Sequence, residues 1–425
     1  MRFSLVYLLV SLVTFIFAKK ASNVPKGFAT TQGRNFEVDG KPFAFVGANS
    51  YWLPLLTSKE DVEATFKEMQ AGGVKVVRTW GFNAINGSEL AGALQSGLTY
   101  YQVWNSTEWV LNDGPQGLQR LDYVVETAGK YGIKLIVAFT NNWVGYGGTE
   151  LYINWITGAG KTHDVFYTDR RIVSSYQRYV QTIVNRYKHS PNIFAWELMN
   201  EARCSGDLPA GPNCVPGSNT LHTWYQEQSE FVRDLDSHHM ITTGGEGHFY
   251  WKTPVGYWWN NTWISDYNYN GQAGEDFDLD LQLENIDFGT YHIYAQYWYP
   301  LLDFPGSNWT TKSWGLEWIQ QHADAAKKAN KPVILEEFGL SGYDNKTDAY
   351  PEWVDLALKT EHGGIMPWQF GVNGLKESGG NRLIKYADAL IDGASPDDGL
   401  AIYRNQTFLW NVFTNAAKVQ ASRFS

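Results

Sequence analysis

Thr57-Ser-Lys-Glu-Asp-Val-Glu-Ala-Thr-Phe-Lys-Glu-Met-Gln-Ala-Gly-Gly-Val-Lys-Val-Val-Arg-Thr-Trp80 holds the organising grammar of this chain. Thr57 and Glu60 have the spacing of a capping box, which opens a helix by satisfying its free backbone N–H groups. Val62, Phe66 and Met69 recur at helical spacing and supply one buried face. Gly72 and Gly73 stop the helix. A β-branched run, Val74, Val76 and Val77, follows and ends in Arg78-Thr79-Trp80. The unit is helix, tight turn, apolar strand, then polar residues.

The same unit recurs along the chain. It predicts eight strands, at 44–48, 74–80, 135–140, 193–200, 240–245, 288–294, 332–338 and 364–370. Clear helices fall between them. One runs from about Asp169 to Tyr187, with Ile172, Tyr176, Val180 and Ile183 on one face. Another runs from about Asn219 to Leu235, with Leu221, Trp224, Phe231 and Leu235. Apolar strands alternating with amphipathic helices imply a parallel sheet covered by helices. Eight such units fit an α/β fold, a single-domain (β/α)8 TIM barrel over residues 19–425. An open doubly wound sheet is the rival, disfavoured because its glycine-rich dinucleotide or phosphate turn is missing. The strand ends decide further. They carry Arg78 and Trp80, Asn141 and Asn142, Asn200 and Glu201, Glu246, His292 and Tyr294, Glu337, and Trp368. In a barrel these ends converge on one face, where active sites lie.

Two strand ends supply carboxylates of a recognisable kind. Ile193-Phe-Ala-Trp-Glu-Leu-Met-Asn200-Glu201 delivers an amide and an acid together, and Pro332-Val-Ile-Leu-Glu336-Glu337-Phe338-Gly339 delivers two acids. A pair of carboxyl groups, one protonated and one ionised, is what cleavage of a glycosidic bond requires. Side chains alternate across a barrel wall, so only one of Glu336 and Glu337 is expected to point inward. Glu337 is the choice. Glu197, earlier in its strand, reads as a buried structural acid paired with a cation or amide.

The composition narrows the partners. Asp and Glu number 44 against 34 Lys and Arg, for a net charge of −10. Nucleic acids and anionic membranes call for basic patches, so neither is expected. Residues 1–18 read as a secretory signal: Arg2, then an apolar run from Leu5 to Phe17 ending at Ala18. A single membrane anchor is the alternative, but the run is too short and wrongly flanked to span. N-x-[ST] sequons at Asn86, Asn105, Asn260, Asn308, Asn345 and Asn405 agree with export. Cys204 and Cys214 are the only cysteines. An exported chain is expected to join them, with two free buried thiols as the alternative. No cluster of His and Cys calls for a metal.

The ordered motifs resemble a known family. Val77-Arg78-Thr79-Trp80-Gly81-Phe82-Asn83, Asn141-Asn142-Trp143 with Tyr146-Gly147-Gly148, Asn200-Glu201-Ala202-Arg203-Cys204, His292-Ile293-Tyr294 and Glu337-Phe338-Gly339 are similar to family 5 of the glycoside hydrolases. Together they resemble its fungal and plant endo-β-1,4-mannanases, over essentially the whole mature chain. The resemblance implies a secreted retaining enzyme for neutral β-mannans, with no cofactor and no metal, acting as a monomer. It makes Glu201 the acid/base and Glu337 the nucleophile, and Arg78 would hold Glu337 ionised. Asn200 would bind the 2-hydroxyl of the reacting sugar. His292 and Tyr294 would line that subsite, with Tyr294 steadying Glu337. Trp368 would form the platform beneath the sugar, Trp80 and Asn142 would contact non-reducing-side sugars, and Arg203 the leaving-group side. The family's proline after Asn-Glu is Ala202 here, which alters backbone stiffness and removes no catalytic group.

Each assignment has a plainer counterpart: a buried structural cation for Arg78, a core histidine for His292, core aromatics for Trp80 and Trp368, a solvated arginine for Arg203. Glu246 reads equally as a subsite wall or a structural acid. Tyr257-Trp258-Trp259 and Tyr297-Trp298-Tyr299 either extend the cleft or pack loops. The competing functions are a family 5 glucanase or cellulase, a catalytically dead wall-binding protein, and a phosphate-handling barrel.

Overall fold

The computed structural model describes residues 24–259, 261–307, 309–377, 384–386, 389–391 and 394–424. Residues 1–18, read above as a secretory signal, and the sequons at Asn260 and Asn308 lie outside them. Eight parallel strands form one sheet: β1 (Phe45–Asn49), β2 (Val76–Trp80), β3 (Lys134–Ala138), β4 (Ile193–Glu197), β5 (Met240–Thr242), β6 (Gly289–Ile293), β7 (Val333–Phe338) and β8 (Gly364–Ile365). Their order is β5-β4-β3-β2-β1-β8-β7-β6, so β1 and β8 pair and the sheet curls on itself. The seam between β5 and β6 is stitched by single bonds. Asp287 N donates to Ile241 O at 2.9 Å, and His292 N donates to Glu246 O at 3.2 Å. Each strand is followed by a helix: α1 (Lys59–Ala71), α2 (Leu118–Lys130), α3 (Arg170–Tyr187), α4 (Thr220–Leu235), α5 (Phe277–Asp280), α6 (Thr311–Ala329), α7 (Tyr343–Lys359) and α8 (Thr407–Ser422). This is the (β/α)8 barrel that the strand and helix grammar implied.

Helix faces match their periodicity. Ile172, Tyr176, Val180 and Ile183 of α3 are all fully buried. Asp169 caps α3, its carboxylate accepting from Arg171 N at 2.9 Å. The α1 cap falls one residue later than expected: Ser58 Oγ accepts from Asp61 N at 3.2 Å. Thr57 bonds instead to the Glu377 carboxylate, and Asp61 accepts from the backbone of Lys376 and Glu377 at 2.9 Å. Those contacts tie α1 to the segment after β8 and help close the ring.

Below the barrel, an antiparallel sheet (Ala29–Gln32, Asn35–Val38, Lys41–Phe43) plugs the N-terminal strand ends. The Phe36 ring meets Phe194 of β4 at 5.0 Å and Phe288 at 5.2 Å. Burying aromatic edges and faces there stabilises the closed end, leaving the opposite face for chemistry.

Several strands stop earlier than their expected ends, β8 and β5 among them. β8 ends at Ile365 because Pro367 has no N–H for a ladder. Phe370–Gly371 then pairs with Ile402–Tyr403 outside the barrel. β5 ends at Thr242, before Gly244 and Gly245. A Cβ on Gly244, at φ +77°, would lie 2.4 Å from Met199 O. Cys204 and Cys214 form a disulfide across a separation of 10 residues. It rests on Gly274, where a Cβ would come within 2.5 Å of Cys204 Sγ. Among the sequons, Asn105, Asn345 and Asn405 are exposed. Asn86 is partly buried, its Oδ1 accepting from Trp155 Nε1 at 2.8 Å.

Candidate active site

The C-terminal strand ends surround a cleft of about 500 Å³. Trp80, Asn200, Glu201, Arg203, Glu246, Tyr294, Glu337 and Trp368 all line it, joined by Tyr51, Asn141, Trp143, Tyr297 and Trp298 among others. The β4 strand continues as extended backbone past Glu197. Asn200 N donates to Thr140 O and Glu201 N to Gly244 O, at 3.0 and 2.8 Å. Glu201 sits at φ +52°, a left-handed conformation that a non-glycine residue holds at an energetic cost. The turn swings its carboxylate into the cleft.

Glu201, His292 and Glu337 each place one side-chain N or O atom within 4.8 Å of the others. His292 Nδ1–H donates to Glu201 Oε1 at 2.8 Å and lies 3.6 Å from Glu337 Oε2. Trp143 Nε1–H donates to the other Glu201 oxygen at 2.6 Å. Tyr294 O–H donates to Glu337 Oε2 at 2.6 Å, and Arg78 Nη1 to Glu337 Oε1. The same three side chains could offer a donor set to a cation, but Arg78, Tyr294, Trp143 and His292 already donate one hydrogen bond to each of the four carboxylate oxygens. The Arg78 charge opposes a second cation there.

Arg78 is fully buried and serves more than one acid. Its Nε and Nη2 grip Glu197 at 2.7 Å each, Nη2 also donates to Asn200 Oδ1 at 2.6 Å, and Nε lies 3.6 Å from Glu336. Glu197 is therefore the buried paired acid its position suggested. Glu336 departs from expectation, because it too turns inward. The β6–β7 pairing slips between Tyr291 and His292, so His292 faces Glu337 and Glu336 becomes the extra residue of a bulge. The bulge brings Glu336 to Arg78 Nε and, at 3.4 Å, to His292 Nε2.

The charges divide unexpectedly. Burial pushes Glu337 above the ordinary carboxylate range, against the pull of the His292 and Arg78 cations. Arg78 does reach Glu337, the contact that the resemblance implied, but its charge is shared among Glu197, Glu336 and Glu337. Burial would also raise Glu201, but the hydrogen bond and charge of His292, with Arg203 and Trp143, bring it down to about 2. Burial works against a charged His292, yet Glu337, Glu201 and Glu336 together hold its imidazole well above the usual value. The two directions favour a charged imidazole at His292 beside an ionised Glu201.

Removing Arg78 would leave those acids buried without their counter-ion. Arg78→Met should destabilise the fold by about 3–5 kcal/mol, the usual result of breaking a buried pair from one side. Urea unfolding measures it. A midpoint equal to the parent's would show that Arg78 contributes nothing to the fold.

Two assignments need correction. Asn142 does not reach the cleft. Its side chain is fully buried, donating to Ser205 O at 3.3 Å and accepting from Arg203 N at 3.0 Å. Asn141 lines the cleft instead, because extended backbone alternates its side chains and Asn141 bridges to Asn200. His292 likewise does not line a subsite. It is fully buried beneath the two carboxylates and works through them. Arg203 forms a two-pronged pair with buried Glu246, so its fork is already engaged on one side.

Trp143 and Tyr51 were missed as site residues. Trp143 follows an Asn pair at the end of β3. Tyr51 lies just past β1, the one strand end not read for polar residues. The Tyr51 and Trp368 rings stack at 5.2 Å and 3°. Trp80 packs under the Arg78 guanidinium at 5.0 Å.

Residues 36–374 match the family model described as cellulase, glycosyl hydrolase family 5. The chain belongs to glycosyl hydrolase family 5. Among its family relatives, mannan endo-1,4-beta-mannosidase F of Aspergillus clavatus is 38% identical over 391 residues, covering 90% of this chain and 77% of that one. Mannan endo-1,4-beta-mannosidase A of Hypocrea jecorina is 38% identical over 345 residues, covering 81% and 70%. The crystal structure of the endo-1,4-beta-mannanase from Rhizomucor miehei superposes with a TM-score of 0.77 at 34% identity, covering 93% of this chain and 99% of that one.

Proposed function

We propose that this family 5 protein is a secreted mannan endo-1,4-β-mannosidase that cleaves with retention of anomeric configuration. One observation carries the chemistry: a Glu201 oxygen and a Glu337 oxygen approach within 4.8 Å at the floor of an aromatic-walled cleft. Carboxyl groups about 5 Å apart leave no room for a water between the second carboxylate and the anomeric carbon, so that carboxylate attacks directly.

Glu337 attacks the anomeric carbon while Glu201 protonates the leaving oxygen. Tyr294 and Arg78 orient the attacking carboxylate. The proton begins on His292 and crosses the 2.8 Å contact to Glu201. Release of the leaving chain admits water, from which Glu201 takes a proton as the water displaces Glu337. Asn200 meets the 2-hydroxyl, whose hydrogen bonds strengthen in the oxocarbenium-like transition state. Trp368 supports the ring, because an indole face matches the C–H face of a pyranose. Export is supported by the leader, the sequons and the disulfide.

The substrate reading follows the mannanase relatives. A β-glucan is the second reading, favoured by the cellulase description of the family model. Digestion of mannan and of carboxymethyl cellulose separates them: reducing ends should appear from mannan, while release from the cellulose alone would replace the first reading with the second.

The proton location has a pH consequence. The active form carries one proton on the His292–Glu201 pair, and that proton is lost as pH rises. kcat/KM should therefore fall along an alkaline limb lying above the ordinary imidazole value. His292→Gln should move that limb down toward the carboxylate range. A limb unmoved by the substitution would place the proton elsewhere.

A further inference from the structure

Around the sugar platform lies a closed set of contacts that none of the roles above uses. We propose that Asp398 is a positioning residue for Trp368, setting the in-plane orientation of the indole on which the reacting sugar rests. The inference builds on the platform reading of Trp368.

Asp398 works in two directions. Its Oδ2 accepts the Trp368 indole N–H at 3.1 Å and the Gln369 side-chain N–H at 2.9 Å. Its Oδ1 accepts the backbone N–H of Leu400 and Ala401 at 2.9 and 3.0 Å. Leu400 itself lines the cleft. Gln369 is fully buried and accepts from Trp52 Nε1 at 2.7 Å. Tyr51, the neighbour of Trp52, is the residue stacked parallel to Trp368. The circuit thus runs from 51–52 to 368–369 to 398, and each link bears on the platform ring.

The two kinds of contact do different work. Stacking on Tyr51 fixes the plane of the indole but lets the ring slide and turn within that plane. A hydrogen bond at the single indole N–H removes that remaining freedom. The acceptor is a carboxylate, which strengthens the bond. It is also exposed, so water competes and the effect is moderate. Misplacing a supporting ring weakens reaction more than it weakens folding, because the near-attack geometry of the sugar depends on it.

The test is a kinetic double-mutant cycle on a mannan oligosaccharide, with wild type, Asp398→Ala, Trp368→Phe and the double variant. Asp398→Ala should lower kcat/KM about three- to tenfold, the effect of losing the charge-assisted bond to the Trp368 indole within reach of water. Because Asp398 also holds Gln369 and the Leu400 and Ala401 backbone, the melting temperature should fall modestly, and equally with tryptophan or phenylalanine at position 368, so that this part cancels in the cycle. Phenylalanine keeps the stack on Tyr51 and has no N–H. In the Trp368→Phe background, Asp398→Ala should therefore cost less than about twofold. An unchanged kcat/KM for Asp398→Ala, or a full multiplicative loss in the Phe background, overturns the inference and leaves the platform standing. A Trp368→Phe enzyme with wild-type kcat/KM overturns the platform reading itself.

Discussion

Glu337→Gln should lower kcat/KM on mannan by at least about four orders of magnitude, since an amide can neither attack the anomeric carbon nor leave from it. The loss should fall in kcat. Folding should survive, because the amide keeps the volume, its oxygen can accept from Arg78 and its NH2 can donate to the Tyr294 hydroxyl oxygen, at the two positions where Glu337 now accepts. Burial already raises the Glu337 carboxyl, so neutralising it removes a desolvated charge from the ground state. A smaller variant, Glu337→Gly, opens space for an external nucleophile. Azide should restore turnover of an activated aryl mannoside and give the α-glycosyl azide, formed by one displacement instead of two. Wild-type turnover by the Gln variant would remove Glu337 from the reaction.

Glu201→Gln should show a different pattern. Cleavage of mannan should fall about 10²–10⁴-fold, the usual range for loss of a general acid or base. An aryl mannoside whose leaving group needs no proton should still glycosylate the enzyme, producing a burst and then slow release. Release is slow because the water no longer has its base. Azide should accelerate that second step and yield the β-glycosyl azide. Equal losses on the activated and natural substrates would argue against an acid role for Glu201. The amide also breaks the exchange with His292, so the alkaline limb should vanish with the activity.

Much of this site was legible because a barrel turns sequence position into location. An apolar run followed by polar residues marks a strand end, and strand ends share a face. Arg78, Glu201, Tyr294, Glu337 and Trp368 could be placed together on that ground. The rest depended on details that one-dimensional patterns do not encode. Which of Asn141 and Asn142 faces inward is a matter of register, and one residue reverses it. The inward turn of Glu336 needed a bulge, which no composition announces. Pro367 did signal an early end to β8, but a continuous apolar run masked it. The cap of α1 moved from Thr57 to Ser58 because Glu377, far along the chain, takes the Thr57 hydroxyl. The position of the proton could not be read from motifs either. Three carboxylates that meet only in the fold surround His292 and push its imidazole up.

The central claim is that residues 201 and 337 act on one sugar from opposite sides with no water between the attacking acid and the anomeric carbon. Proton NMR of a mannan oligosaccharide digest, recorded before mutarotation, reads this directly. The β-anomer of the new reducing end should appear first and convert slowly to the equilibrium mixture. The α-anomer appearing first would mean inversion, and a single direct attack by water in place of Glu337.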